Sequence, residues 1–209
     1  SCAHNVLAIA GGTGISYTLP IVIEASRRQM GAVEMIWMVR RTRDVLWILP
    51  ELLELKARMV NGSAGNLKIR IFVTRDAKPT DVSGSSSPVE EKELGKQDGG
   101  LTLTQVAVAS SGSSSEDEVL EAIRLQRGFE IEWLRDHHPE VRGGGQQMLD
   151  AFLERAASFG GRNMVVASGP AGLGNDLKAV VAKRNDGSRV MKGDESADVE
   201  FVWDDRLTL

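Results

Sequence analysis

Sulphur and imidazole ligands are scarce in this sequence. Its 209 residues include one cysteine, Cys2, and three histidines, His4, His137 and His138. A single thiol cannot form an intramolecular disulfide, and these residues cannot supply the paired Cys and His ligands of a structural zinc site. The composition therefore excludes a disulfide-stapled scaffold, predicts no metal site and favours a reducing compartment.

Long apolar runs and an excess of positive charge are also missing. No stretch reaches the roughly 18 apolar residues that a membrane-spanning helix requires, and no signal peptide precedes the first apolar run. The formal charge is −4 at pH 7 and the pI is near 5.5, which argues against nucleic acid or an anionic membrane as the main partner. Because the chain also lacks a starting methionine, we expect it to be part of a larger protein.

The sequence does contain alternating strand and helix patterns, which are typical of an α/β protein. Apolar residues make up 42% of the chain, enough for one good core. Strands alternating with helices favour a Rossmann-like parallel sheet flanked by helices. The predicted strands are 6–10, 34–39, 67–73, 129–133, 163–167 and 198–203; the predicted helices follow Ser16 and Asp176 and span 44–59, with an irregularity at Pro50, and 145–158.

Residues 76–117 interrupt this alternation. The segment is dominated by Ser, Gly, Glu and Asp, a composition that cannot bury enough apolar surface to fold and is typical of disorder. Only 101–108 alternates like a strand. We therefore predict one domain, ordered over about 5–75 and 129–209, with a long disordered insertion at 76–117 to which no chemistry is assigned.

The first predicted strand runs into the glycine turn Gly11-Gly12-Thr13-Gly14-Ile15-Ser16. Glycines between a strand and a helix expose backbone N–H groups, which is how many proteins bind nucleotide phosphates. Tyr17 stands where the dinucleotide fingerprint has its third glycine, so this turn alone leaves a purely structural role open. A second glycine turn, 168–176, follows another buried strand and favours a ligand shared between the two turns.

Arg40 and Arg41 follow the second predicted strand. An NAD site of the usual type places an acidic residue there, which holds the ribose 2′-hydroxyl. Guanidinium groups instead match a 2′-phosphate through charge-assisted hydrogen bonds. A solvated basic turn is the alternative, but the position at a strand end favours NADP over NAD.

Other polar and aromatic residues have simpler interpretations. Ser168 lacks the preceding glycine that a nucleophile elbow requires, and no histidine is placed as its base, so hydrolase chemistry is disfavoured. The adjacent histidines fall in a turn predicted at 136–140 and are interpreted as surface residues. The tryptophans lie in predicted regular elements and are interpreted as packing residues: Trp37, Trp47, Trp133 and Trp203.

Three groups of residues, in their order along the chain, resemble one family. They are the turn 11–16 with Pro20, the segment 37–40 with Trp47, and the segment 168–173 with Asp176. Together they resemble the nicotinamide-nucleotide-binding domain of the ferric reductase and NADPH oxidase proteins, within the ferredoxin–NADP reductase superfamily. The resemblance covers about residues 5–75 and 129–209.

The resemblance implies a set of site residues. The turn 11–16 would cradle the dinucleotide phosphates, Arg40 would meet the 2′-phosphate, and 168–173 would border the nicotinamide. Ser168 stands where the family usually has a cysteine, and we expect its hydroxyl to form a hydrogen bond near the nicotinamide as the catalytic residue. The expected cofactor-binding residues are Gly11, Gly12, Thr13, Gly14, Ile15, Ser16, Arg40, Arg41, Ser168, Gly169, Pro170, Gly172 and Leu173.

The resemblance also implies an electron path. In the family, hydride passes from NADPH to FAD in a preceding flavin-binding domain, and electrons then cross haems in a membrane domain. We therefore expect this chain to be the NADPH-binding module of a transmembrane ferric-chelate reductase, on the cytosolic side, with NADH the less favoured cofactor. Its partners would be the flavin and haem domains of the same protein, since this chain alone would bind neither FAD nor haem.

The sequence leaves three alternative functions open. The module could belong to a superoxide-generating NADPH oxidase, because the final acceptor is decided outside this chain. It could also be a degenerate nucleotide fold kept as a regulatory or interaction module, an idea motivated by the missing family cysteine. A methyltransferase or another Rossmann-like enzyme is a third interpretation, which Arg40 and Arg41 disfavour because adenosine hydroxyls call for an acid there.

Overall fold

The computed structural model describes residues 4–64, 66–75, 129–133, 139–194 and 197–204. The predicted insertion at 76–117, its strand-like part at 101–108 and the histidine pair at 137–138 lie outside the described residues.

Strands alternate with helical segments along 4–73 and along 129–203, as the sequence pattern predicts. Two short 3₁₀ turns, Gly12–Gly14 and Thr42–Ile48, precede the first two helices. The elements are β1 His4–Gly11, α1 Ile15–Arg27, β2 Val33–Val39, α2 Leu49–Val60, β3 Leu67–Val73, β4 Phe129–Trp133, α3 Pro139–Ala157, β5 Arg162–Ser168, α4 Ala171–Arg184, α5 Gly187–Met191 and β6 Val199–Trp203.

The six strands form one parallel sheet in the order β4-β3-β2-β1-β5-β6. From β1 the chain builds outward through β2, β3 and β4, and then returns to the other side of β1 with β5. Strand order therefore reverses between β1 and β5, and in open parallel sheets ligands bind at the carboxyl ends of the strands at such a reversal. The predicted α/β fold with a parallel sheet is confirmed.

Helices cover both faces of the sheet. On one face, α1 and α2 bury Leu19, Val22 and Leu55 against the odd-numbered residues of β2 and β3. On the other face, α3 and α4 bury Phe152 and Leu177. Because β1 is covered on both sides, its residues 5–10 are all buried, which is why its sequence is a continuous apolar run rather than an alternating one.

Four sequence expectations need correction. Helix α3 begins at Pro139, six residues before the predicted start, because proline is well tolerated in the first turn. Helix α4 begins at Ala171, so much of the second predicted glycine turn is helical. The alternation along 67–74 predicts one buried face for β3, with Phe72 on the opposite face, yet Phe72 is buried in the cluster that includes residues of α3 and α4. The short helix α5, capped by the Asp186 carboxylate, was not predicted.

Candidate functional site

An open cleft of about 1000 Å³ lies at the carboxyl edge of the sheet, where strand order reverses. It extends over the ends of β5, β1, β2 and β3, which are adjacent in the sheet. Four separate segments of the chain therefore build it, one at the end of each of these strands. Its lining residues are Gly11, Gly12, Thr13, Trp37, Met38, Val39, Arg40, Asp44, Trp47, Thr74, Gly169, Pro170, Leu173 and Asp176.

The turn after β1 packs tightly against the turn after β5. A β-carbon on Gly11 would lie 2.9 Å from Cδ of Pro170, and one on Gly14 would overlap the Ser168 carbonyl group. Gly12 adopts a left-handed conformation with φ of 56°, which glycine reaches without strain. These three glycines are therefore required by close backbone approach and by turn geometry, and they bring the two turns predicted from sequence into contact.

Seven of the thirteen expected cofactor-binding residues line the cleft: Gly11, Gly12, Thr13, Arg40, Gly169, Pro170 and Leu173. The others lie nearby but are not part of the lining. Gly14 and Ile15 are buried beneath the turn, whereas Arg41 and Gly172 are exposed outside the cleft. The Ser16 hydroxyl donates to the Thr13 carbonyl at 3.0 Å and so closes the turn.

Ser168 does not reach the cleft. Its side chain is fully buried on β5, and its hydroxyl donates to the Asp204 carboxylate at 3.2 Å. Asp204 follows β6, is itself 7% exposed, and donates its backbone N–H to the Ala167 carbonyl at 3.0 Å. In this arrangement Ser168 ties the ends of β5 and β6 together, and its catalytic role stays a prediction.

Charged groups of both signs line the cleft at the end of β2. The Arg40 side chain is exposed there, and Asp44 is half-buried beside the same opening. The Asp44 carboxylate accepts the Arg41 backbone N–H at 3.1 Å, and the Asp44 N–H donates to the Arg41 carbonyl at 3.0 Å. These two bonds cap the 3₁₀ turn. Among the lining residues, Arg40 carries the cationic side chain.

Two tryptophans have roles that the packing interpretation missed. Trp47 is 63% exposed and lines the cleft, so its assignment as a packing residue is wrong. Trp37 is fully buried, as expected, but its indole N–H donates to the Gly12 carbonyl at 2.9 Å. The sequence signal that could have revealed these roles is their position near Arg40. Trp37 lies shortly before the end of β2, and Trp47 follows that end.

The other two tryptophan predictions have different outcomes. Trp203 packs on α4, where a β-carbon on Gly174 would lie 2.8 Å from its ring, and it stacks on Phe201 at 6.4 Å between centroids. Packing is therefore confirmed for Trp203. The side chain of Trp133 falls outside the described set.

Neither a metal site nor a membrane-spanning helix is found in the described part of the chain. Among the described side chains, no three His, Cys, Asp or Glu residues are grouped so that they could hold a metal ion. None of the helices within the described ranges is long and apolar enough to cross a membrane.

Residues 3–182 match the family of ferric reductase NAD-binding domains. Among individual proteins, the chain is 28% identical over 206 residues to a probable metalloreductase, AIM14, from Lachancea thermotolerans. It is 27% identical over 183 residues to the protein of the same name from Yarrowia lipolytica. The two alignments cover 88% and 83% of this chain but only 33% and 34% of those proteins, so the chain spans about a third of their length.

Proposed function

The chain belongs to the family of ferric reductase NAD-binding domains, and from this premise we propose that it is the NADPH-binding module of a metalloreductase. In this proposal the cleft at the carboxyl edge of the sheet holds the dinucleotide. The nicotinamide supplies hydride to FAD in a flavin-binding domain of the same full-length protein. Electrons then pass through haems of a membrane domain to a metal ion, and this module lies on the cytosolic side.

One observation carries the proposal: the glycine turn after β1 and Arg40 after β2 line the same cleft. The ends of β5, β1 and β2 follow one another along the sheet edge at about 4.8 Å per strand. A dinucleotide can lie along this edge with its nicotinamide over β5, its pyrophosphate over β1 and its adenosine over β2. Backbone N–H groups and a guanidinium then face the phosphates in that order.

The residues of the cleft fit the chemistry of each part of NADPH. The missing side chain of Gly12 allows a pyrophosphate to approach the backbone, and Arg40 can pair bidentately with a 2′-phosphate. The exposed indole of Trp47 offers a flat face to an adenine ring. Asp44 and Asp176, which also line the cleft, can accept hydrogen bonds from ribose hydroxyls.

The wall after β5 suits the reactive end of the cofactor. Pro170 and Leu173 contribute apolar surface to the lining, and apolar surface beside a nicotinamide keeps water from the hydride. The protein groups bind and orient, whereas the redox chemistry belongs to the cofactors. A metal ion as final acceptor is supported by the printed names of the two relatives, both probable metalloreductases.

The test is the rate of flavin reduction in the full-length protein, measured by stopped flow with NADPH and with NADH. We expect faster reduction by NADPH at subsaturating concentration, and we expect Arg40→Ala to remove most of that preference. Arg43→Ala is the matched control, because Arg43 belongs to the same basic segment but does not line the cleft. A flavin that is reduced no faster with either nucleotide than without would contradict the proposed function.

A further inference from the structure

We propose that Trp37 is a positioning residue for the phosphate-binding turn, acting through its indole N–H. The hydrogen bond from this group to the Gly12 carbonyl sets the direction of the peptide that joins Gly12 to Thr13. The inference rests on the proposed function, since it concerns how the same cleft binds the dinucleotide pyrophosphate. It assigns a positioning role to a side chain that is fully buried.

The strand pairing brings the two groups together across 25 residues of sequence. Trp37 lies on β2 directly opposite Ala10 of β1, and Gly12 follows two residues after Ala10. The indole ring is 0% exposed within the core formed with α1 and α2. A buried indole N–H needs a hydrogen-bond acceptor, and here the acceptor, at 2.9 Å, belongs to the turn itself.

Because the peptide is planar, this hydrogen bond also determines the direction of the next backbone N–H in the turn. The described chain contains no cis peptide bond, and in a planar trans peptide the C=O and the following N–H point in opposite directions. Holding the Gly12 carbonyl on the buried indole therefore directs the Thr13 N–H away from the core. Because Gly12 and Thr13 both line the cleft, this N–H is presented on the side where a phosphate would bind.

The alternative peptide orientation would harm an anion site in two ways. A flip would withdraw the Thr13 N–H and would place the Gly12 carbonyl, a partial negative charge, in the cleft. Gly12 has φ of 56° and no neighbouring atom within 4 Å of the position of a β-carbon, so no contact at that position restrains the turn. The indole bond acts directly on the Gly12 carbonyl and favours the orientation observed.

The test compares two ligands that differ in the pyrophosphate. Isothermal titration calorimetry of the 209-residue chain is made with NADP⁺ and with adenosine 2′-monophosphate, which carries the 2′-phosphate but no pyrophosphate. We expect Trp37→Phe to weaken NADP⁺ binding about tenfold, the size of a hydrogen bond to a charged group. The affinity for adenosine 2′-monophosphate should stay within about twofold of the wild type, since the Arg40 end of the cleft is untouched.

Two control variants distinguish the loss of the indole hydrogen bond from a change in the packing of the ring. Trp203→Phe makes the same substitution in another strand, at a tryptophan that packs on α4 outside the cleft, and should leave both affinities unchanged. Benzothienylalanine at position 37 replaces the indole N–H with sulphur while keeping the ring shape, and it should weaken NADP⁺ binding as Trp37→Phe does. This second variant keeps the test informative if the phenylalanine variant unfolds.

Unchanged NADP⁺ affinity in the benzothienylalanine variant would overturn the positioning role, and so would an equal loss for both ligands. A readout without nucleotide separates this inference from the proposed function. In NMR spectra of the free chain, both position-37 variants should shift the Thr13 amide resonance, whereas Trp203→Phe should not. If the wild type binds neither ligand but the position-37 variants show these shifts relative to it, the proposed function fails while the orientation of the turn stands.

Discussion

At the scale of single residues, the first turn of α4 contains two glycines, of which one has room for a side chain and the other has none. Gly172 is exposed with nothing near the position of a β-carbon, whereas a β-carbon on Gly174 would lie 2.8 Å from the ring of Trp203. Glycine in an open helical position costs backbone entropy, but glycine under an aromatic ring allows close packing. The same substitution should therefore have opposite effects two residues apart.

We predict that Gly172→Ala stabilises the chain by up to about 1 kcal/mol, whereas Gly174→Ala destabilises it by about 1–3 kcal/mol because the Trp203 ring must move. Urea unfolding of the two variants beside the wild type checks both signs. A destabilised Gly172→Ala variant, or a neutral Gly174→Ala variant, would contradict this account of the helix start.

The sequence predicted the part of the site that depends on local chemistry. Gly11, Gly12 and Arg40 could be recognised because glycine turns and basic strand ends are local patterns. Asp44 and Trp47 were missed as lining residues because lining depends on how the 3₁₀ turn faces the cleft, which periodicity does not encode. The hydrogen-bond partner of Ser168 could not be predicted, because the Asp204 carboxylate that accepts its hydroxyl lies 36 residues further along the chain.

At the scale of elements, α3 is attached to the sheet by a buried charge. Arg155 donates to the Asn66 and Val33 carbonyls at 2.8 and 3.0 Å and to the Glu34 carboxylate at 3.1 Å. Glu34 is 4% exposed, and its other cationic neighbour, Arg70, is 4.0 Å away. Glu34 lies on β2 beneath α3, so its carboxylate depends mainly on Arg155.

Arg155→Ala should destabilise the chain by about 3 kcal/mol, because removing one partner leaves a buried carboxylate poorly compensated. Arg184→Ala is the matched control: its pair with Asp150, at 3.8 Å, is exposed on both sides and should be worth less than about 1 kcal/mol. In the Arg155→Ala background, Glu34→Gln should recover part of the loss. Chemical denaturation measures all three, and equal effects of the two arginine variants would argue against the buried pair.

Helices α1 and α2 are linked by an exposed charge cluster with a predictable pH dependence. Hydrogen bonds from Arg27 and then Arg58 hold the pKa of Glu54 below its ordinary value of 4.5. A lowered folded pKa stabilises the chain above pH 4.5, and this contribution is lost as the pH falls through the folded pKa.

Glu54→Gln should therefore be less stable than the wild type at neutral pH. The difference should shrink below pH 4.5 and vanish once the wild-type carboxyl is protonated. Thermal unfolding of both proteins from pH 7 to pH 3 measures it. A difference that persists at the lowest pH would mean that the side-chain shape, and not the charge, links the helices.

Most helices and strands could be predicted because their apolar residues recur at helical or strand spacing. The exceptions have local causes. The start of α3 was placed late because three consecutive glycines, 143–145, are poor helix formers that tertiary packing overrode. The helix α5 has no buried residue, so no periodicity could reveal it, and its Asp186 cap is a single-residue signal.

At the scale of the whole molecule, the fold concentrates function at one edge. The parallel sheet directs every strand end to the same side, and the reversal between β1 and β5 leaves a crevice where the connecting segments diverge. No single segment makes the cleft, since four strands, which end at residues 11, 39, 73 and 168, each contribute their end. The family match supports a nicotinamide nucleotide as the ligand class.

The measurement that tests the central claim most directly is calorimetric titration of this chain with NADP⁺ and NAD⁺, with Arg40→Ala and Arg43→Ala beside the wild type. We predict saturable binding that is tighter for NADP⁺, an affinity for NADP⁺ reduced at least about tenfold by Arg40→Ala, and no effect of Arg43→Ala. Because Arg40 would pair with the 2′-phosphate, its loss should leave NAD⁺ affinity nearly unchanged. Binding of NADP⁺ that Arg40→Ala does not weaken, or binding of neither nucleotide, would contradict the account.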